Sequence, residues 1–146
     1  MSIKTFTLDE AQALLPLMES LLKRTMDERD KAAAIELQLQ EVTRRIAMSG
    51  GVMVNVVRIA RQRAEIEEHV KLARETLEEI GKIGVQVKDL DTGLLDFPCR
   101  IEGETVLLCW KMGEESITHW HTTDTGFHSR QPVDERFKRR SNSRPN

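Results

Sequence analysis

Apolar residues recur at alternating steps of three and four through Ala11, Leu14, Met18, Leu21, Ala32, Ile35, Leu39, Val42 and Ile46, and only Thr25 and Glu28 interrupt the series. That spacing carries every member to one narrow stripe of an α-helix. A second series, Ile59, Ile66, Val70, Ala73, Leu77 and Ile80, repeats it with Arg63 as the single break. Ser49-Gly50-Gly51 lies between the two and supplies a stop, because glycine takes the left-handed cap conformation without steric cost. Striped helices joined by a short connection must bury their stripes against each other. Residues 7–81 therefore read as an antiparallel helical hairpin.

Its start is written in Thr7-Leu-Asp-Glu10, the form of a capping box, with Phe6 and Ala11 in the flanking staple positions. Pro16 has no amide donor and crowds the turn before it. Either the helix kinks there, or a short helix ends near Leu14 and a second starts with Pro16 in its first turn. At about 1.5 Å per residue the first helix reaches roughly 45–60 Å, further than a small globule is wide. The uncovered stripe calls for the C-terminal segment or for a second copy of the chain, so a homodimer is the expectation. His69, set among Glu65, Glu67, Glu68 and Lys71, reads as a solvated surface histidine.

Beyond Gly84 the period changes from helical to alternating. Val85–Asp89, Leu94–Ile101, Thr105–Met112 and Ile117–His121 alternate as strands do, separated by Asp91-Thr92-Gly93, Glu102-Gly103 and Gly113-Glu114. The expected fold is α+β: the long hairpin followed by a small antiparallel sheet of three or four strands. A two-residue turn at Glu102-Gly103 pairs Ile101 with Glu104, Cys99 with Val106, and Asp96 with Cys109. Cys99 and Cys109 then point to opposite faces and form no disulfide. Residues 1–132 are read as one domain, with the hairpin at 7–81 and the β meander and motif segment at 84–132. Residues 133–146 are read as a disordered basic tail.

Charge narrows the possible partners. The chain carries 22 basic and 24 acidic side chains for a net charge of −2, yet Arg136, Lys138, Arg139, Arg140 and Arg144 crowd the last eleven residues without an acid among them. The remainder is acidic, which disfavours nucleic acid as a partner. No apolar run approaches the roughly 20 residues of a membrane span, and no signal-peptide pattern is present. Two cysteines among 146 residues suit a reducing compartment, so a cytoplasmic location is expected.

Nearly all side chains capable of specific chemistry fall after Gly84. Leu94-Leu-Asp-Phe-Pro98, Leu108-Cys-Trp-Lys-Met-Gly-Glu114, Trp120-His121, Gly126-Phe127 and Arg130-Gln-Pro132, with the opening Phe6 to Pro16, resemble the prokaryotic family called domain of unknown function 2203. The resemblance implies no activity or cofactor. It marks Asp96, Cys109, Trp110, Gly113, Glu114, Trp120, His121, Gly126, Phe127 and Arg130 as positions of the shared pattern. Cys99, His119, His128 and the tail after Pro132 lie outside it.

Four chemistries compete for these residues. His119 and His121, two apart on a strand, leave the same face, and Asp124, His128 or Cys109 could complete a zinc site. Asp89-Leu-Asp-Thr-Gly lacks the ligands of a calcium loop and reads as a turn. Cys109 with His121 as base would make a nucleophile, but a thiol between Leu108 and Trp110 is more often buried and inert. Trp110, Trp120, Glu114, His121 and Arg130 are the residue types that dominate recognition surfaces, or else they fill and lock a core. The reading that results is a non-catalytic, dimeric binding protein without a cofactor. Its C-terminal sheet engages a protein or small ligand through Asp96, Cys109, Trp110, Glu114, Trp120, His121 and Arg130. The alternative is a metal-dependent enzyme or metal-binding protein holding zinc with His119, His121, Asp124 and Cys109.

Overall fold

A computed structural model describes residues 3–50 and 56–142 of the chain. Helix α1 (Leu8–Met48) and helix α2 (Val56–Ile83) precede strands β1 (Gln86–Asp89), β2 (Leu94–Ile101), β3 (Glu104–Lys111), β4 (His119–Thr122) and β5 (Gln131–Pro132), and helix α3 (Glu135–Asn142) follows. The five strands form one antiparallel meander in chain order. The α+β class stands, with a sheet one short strand larger than the alternation predicts. By contact density the chain divides into two compact units, Met1–Leu22 with Leu77–Asn146, and Lys23–Thr76.

The capping box at the start of α1 is made in both directions. Thr7 N donates to Glu10 Oε1 at 2.8 Å, and Glu10 N donates to Thr7 Oγ1 at 3.1 Å. Helix α1 then runs through Pro16 without ending, so the two-helix reading of this stretch falls. Pro16 is exposed, and the residues on either side of the turn it crowds, Leu15 and Met18, still reach the core.

Within the Lys23–Thr76 unit the stripe of α1 faces inward: Thr25, Ala32 and Leu39 are buried, and Ile35 and Val42 half-buried. The polar break at Glu28 is explained by His69, whose Nδ1 meets Glu28 Oε2 at 2.5 Å. This histidine is a cross-helix partner rather than a solvated residue, and its hydrogen bond holds the Glu28 carboxyl below its usual range. Helix α2 is rotated relative to its apolar series. Gln62 and Thr76 are buried while Val70 is 42% exposed, so the inner face runs Ile59, Gln62, Ile66, His69, Ala73, Thr76. Thr76 Oγ1 satisfies itself on Leu72 O at 2.8 Å. Gly50 carries the positive φ of 73° expected of the helix stop; Gly51 lies outside the described residues.

In the other unit, alternate residues of β2 and β3 (Leu95, Phe97, Cys99, Ile101; Val106, Leu108, Trp110) pack with Trp120 against Leu8, Ala11, Leu15, Met18, Leu22 and Ile80. The β2–β3 turn places Glu102 at φ 51° and Gly103 at φ 81°. Two positive φ values define the tight turn that matches strand twist. At the other end of β2, Gly93 has φ 71°, and a Cβ there would stand 2.6 Å from the Cβ of Met112. Met112 N donates to Gly93 O at 2.9 Å, so this contact closes the β2–β3 ladder.

The disordered-tail reading is corrected for the described part of the tail. Residues Glu135–Asn142 form α3, and Phe137 is 1% exposed, its ring 5.6 Å from that of Trp120. Arg136 binds Asp134 and reaches Glu102 in the β2–β3 turn at 2.9 Å. One buried aromatic and one bridging guanidinium offset the ordering cost of a segment whose composition alone argues for disorder. Among the described residues no helix is long and apolar enough to cross a membrane.

Candidate functional site

Strand alternation sends one set of β2–β4 side chains into the core and the other set to the opposite face of the sheet. That second set holds Asp96, Pro98, Leu107, Cys109 and His121, all buried. The register pairs Asp96 with Cys109, as the two-residue turn requires, and Leu107 with His121 across the next connection. Cys99 and Cys109 are both free and lie on opposite faces.

His121 Nε2 stands 3.0 Å from Asp96 Oδ2, the two groups reaching across β3. His121 Nδ1 stands 2.8 Å from the Thr122 carbonyl oxygen. A carbonyl only accepts, so Nδ1 carries a hydrogen, and one further proton is shared between Nε2 and Oδ2. Whichever partner holds that proton, the pair is neutral as a whole. Asp96 Oδ1 is buried and has no hydrogen-bond partner among the described residues, the nearby Cys109 thiol being a weak donor at most. Burial pushes the Asp96 carboxyl above its usual range, and the His121 bond and the Lys88 charge offset this only in part.

Cys109 completes the group: one ligand atom from each of Asp96, Cys109 and His121 lies within 4.8 Å of the others. Burial, and then the adjacent Asp96 charge, push the thiol up to about 11, with Arg130 drawing it down less strongly. Such a thiol is protonated at neutral pH, which removes the basis for a free nucleophile. A metal ion would change that state, because coordination deprotonates a thiol outright. Ligand atoms on one tetrahedral zinc ion stand roughly 3.3–3.8 Å apart, so small rotamer shifts of about 1 Å would close the set. The Nδ1–H to carbonyl bond is also the orienting contact that metal-bound histidines make.

Beside this group, Glu114 and Arg130 form a two-pronged ion pair, with Nη2–Oε2 at 3.0 Å and Nη1–Oε1 at 3.3 Å. Glu114 Oε1 also accepts the Lys111 amide at 2.8 Å, and the Glu114 carbonyl accepts Trp110 Nε1 at 2.9 Å. Partial burial works to raise the Glu114 pKa, but the Arg130 and Lys111 bonds outweigh it and the net shift is downward. Arg130 stacks on Phe127, its guanidinium carbon 4.2 Å from the ring centroid. These contacts tie the turn after β3 to the segment before β5.

The structure sorts the residues singled out from the sequence. It brings together Asp96, Cys109 and His121, with Arg130 and Glu114 alongside. The expected partners of His121, Glu114 or Arg130, are replaced by Asp96 and Thr122, because β4 pairs with β3 and faces β2 beyond it. Trp110 and Trp120 are 1% and 8% exposed in the core, where they cannot anchor a partner. Asp124 is exposed and takes the Thr122 hydroxyl at 2.6 Å, while His119 Nδ1 contacts the Thr118 hydroxyl at 2.8 Å. Neither joins the metal-ligating group, so the set His119, His121, Asp124 and Cys109 is corrected to Asp96, Cys109 and His121. Phe137, the one aromatic after Pro132, is buried against Trp120 and docks α3 on the sheet.

The chain belongs to the family described as Uncharacterized conserved protein, domain of unknown function 2203, which it matches over residues 4–133. The match covers both helices and the whole sheet and ends before α3. No curated protein and no solved structure matches the chain.

Proposed function

We propose that this protein is a non-catalytic metal-binding protein in which Asp96, Cys109 and His121 hold one divalent transition-metal ion. The observation that carries the reading is the convergence of three buried donors of different chemistry, with the second Asp96 oxygen met by nothing stronger than the weak donor of the Cys109 thiol. Thiolate, imidazole and carboxylate together favour zinc over magnesium or calcium, which prefer oxygen alone. Charge balance supports the same choice. The metal-free group is neutral, and a dication with one carboxylate, one thiolate and a neutral imidazole is neutral too. Filling the site therefore buries no net charge. Burial of all three donors supports retention of the ion rather than turnover of a substrate upon it.

Two buried free cysteines, Cys99 and Cys109, support a cytoplasmic location. Leu37, Met48, Val56 and Val57 are each at least two-thirds exposed, and these apolar side chains on the hairpin helices support a homodimer as the assembled state.

The test is cobalt(II) and zinc(II) titration of protein purified without an affinity tag. Cobalt should give a thiolate-to-metal charge-transfer band at one ion per chain. Cys109→Ser should abolish that band, and His121→Ala should abolish retention of zinc. Wild-type protein that takes up neither ion at micromolar concentration refutes the proposal.

A further inference from the structure

The sheet face that carries the Asp96–Cys109–His121 group continues one pleat along β2 and β3 to Leu94 and Lys111, which are paired. Asp89 of β1 pairs with Leu94 from the other side. Here lies a cavity of about 280 Å³, lined by Asp89, Thr92, Leu94, Lys111, Phe127 and His128. Its apolar surfaces are Leu94 and Phe127, both half-buried. The Phe127 ring is held in place between Arg130 at 4.2 Å and Lys111 Nζ at 5.6 Å from its centroid.

Opposite charges stand on the two sides of the Leu94 floor. Asp89 and Lys111 belong to strands two apart, so their backbones are roughly 10 Å from each other. Among the described residues neither forms an ion pair. Asp89 Oδ1 accepts the Asp91 amide at 3.0 Å, which fixes the carboxylate at the rim. A ligand with only a negative charge would leave Asp89 facing it unfavourably, and a simple amine would do the same at Lys111. A molecule carrying both charges on an apolar body satisfies each wall.

We propose that this cavity binds a small zwitterion of the α-amino-acid class. Its carboxylate meets Lys111, its ammonium meets Asp89, and its side chain lies on Leu94 and Phe127. The Lys111 stem is long enough to carry its ammonium from beside Phe127 toward the Asp89 side, so two charged groups close together on one ligand can meet both walls. This site goes beyond the metal reading and stands without it.

The experiment is amide NMR titration of the metal-free full chain, in chelator, with L-leucine and L-phenylalanine. Working without metal keeps the outcome independent of the zinc proposal. Saturable shifts are expected at residues 89–94, 111 and 127–128. The des-amino and decarboxylated analogues of leucine should bind at least about tenfold more weakly, since each leaves one wall charge unpaired. Lys111→Met and Asp89→Asn should each lower leucine affinity by a similar factor. Both residues are exposed, and unchanged tryptophan fluorescence will show that the variants are folded. Absence of saturable shifts with either amino acid, equal binding of the single-charge analogues, or unaffected binding in both variants would overturn the proposal.

Discussion

Raising the pH by one unit around neutrality should tighten zinc binding about a hundredfold. The reasoning starts from the hydrogen bonds of His121. Nδ1 keeps its hydrogen with and without metal, because the Thr122 carbonyl 2.8 Å away can only accept. Nε2 and Asp96 Oδ2, 3.0 Å apart, share one proton that the metal must expel. The Cys109 thiol, pushed up to about 11 by burial and by Asp96, supplies the second. Two protons leave for each ion, so the binding free energy changes by about 2.7 kcal/mol per pH unit. The sign follows from mass action: protons are products of binding, so lower pH releases the metal. Calorimetry in two buffers of different ionisation enthalpy counts the protons directly, and chelator competition from about pH 6 to about pH 8 measures the slope. Release of no proton would show that neither the thiol nor the Asp96–His121 pair is a ligand. Proton release that persists undiminished in Cys109→Ala would refute the count by the same route.

Three further outcomes follow from the packing. Asp96→Asn should leave stability within about 1 kcal/mol of the parent, because its amide can donate to Nε2 in place of the shared proton. At higher pH it should be the more stable of the two: the raised Asp96 pKa means that stability is lost as pH rises through it, and asparagine has no proton to lose. Denaturant melts from pH 5 to 9 check both points, and a parent that gains on the variant as pH rises contradicts the assignment. Phe137→Ala, or truncation after Pro132, should cost about 3 kcal/mol, since a fully buried ring is removed from beside Trp120; an unchanged melting temperature would show that α3 does not dock. Light scattering at micromolar concentration should give about twice the 16.7 kDa chain mass, and a monomer at every concentration removes the dimer.

Local chemistry was legible wherever a short motif closes on itself. Thr7 and Glu10 cap each other within one turn, so the pattern of four residues sufficed. The Glu102-Gly103 turn admits one register, and that register placed Asp96 beside Cys109 and parted the two cysteines. The alternation of β2 and β3 likewise marked which residues share a face.

The remaining features depended on contacts between segments distant in the chain. Helical periodicity identified the α1 stripe, but α2 turns His69 and Thr76 inward because Glu28 and the Leu72 carbonyl supply their polar partners. Apolar spacing carries no record of such partners. Trp110 and Trp120 looked the same whether surface anchors or core residues, and only the packing of the sheet on Leu15, Met18 and Ile80 decided between them. The same holds for the candidate site. Sequence alone determined the α+β class, the cap, the β2–β3 register and the adjacency of Asp96 and Cys109, since each rests on backbone geometry over a few residues. Tertiary structure decided that His121 of β4 meets Asp96 across β3, that Asp124 and His119 stay apart from them, and that Phe137 is buried, because burial and cross-strand reach depend on how the whole sheet is covered.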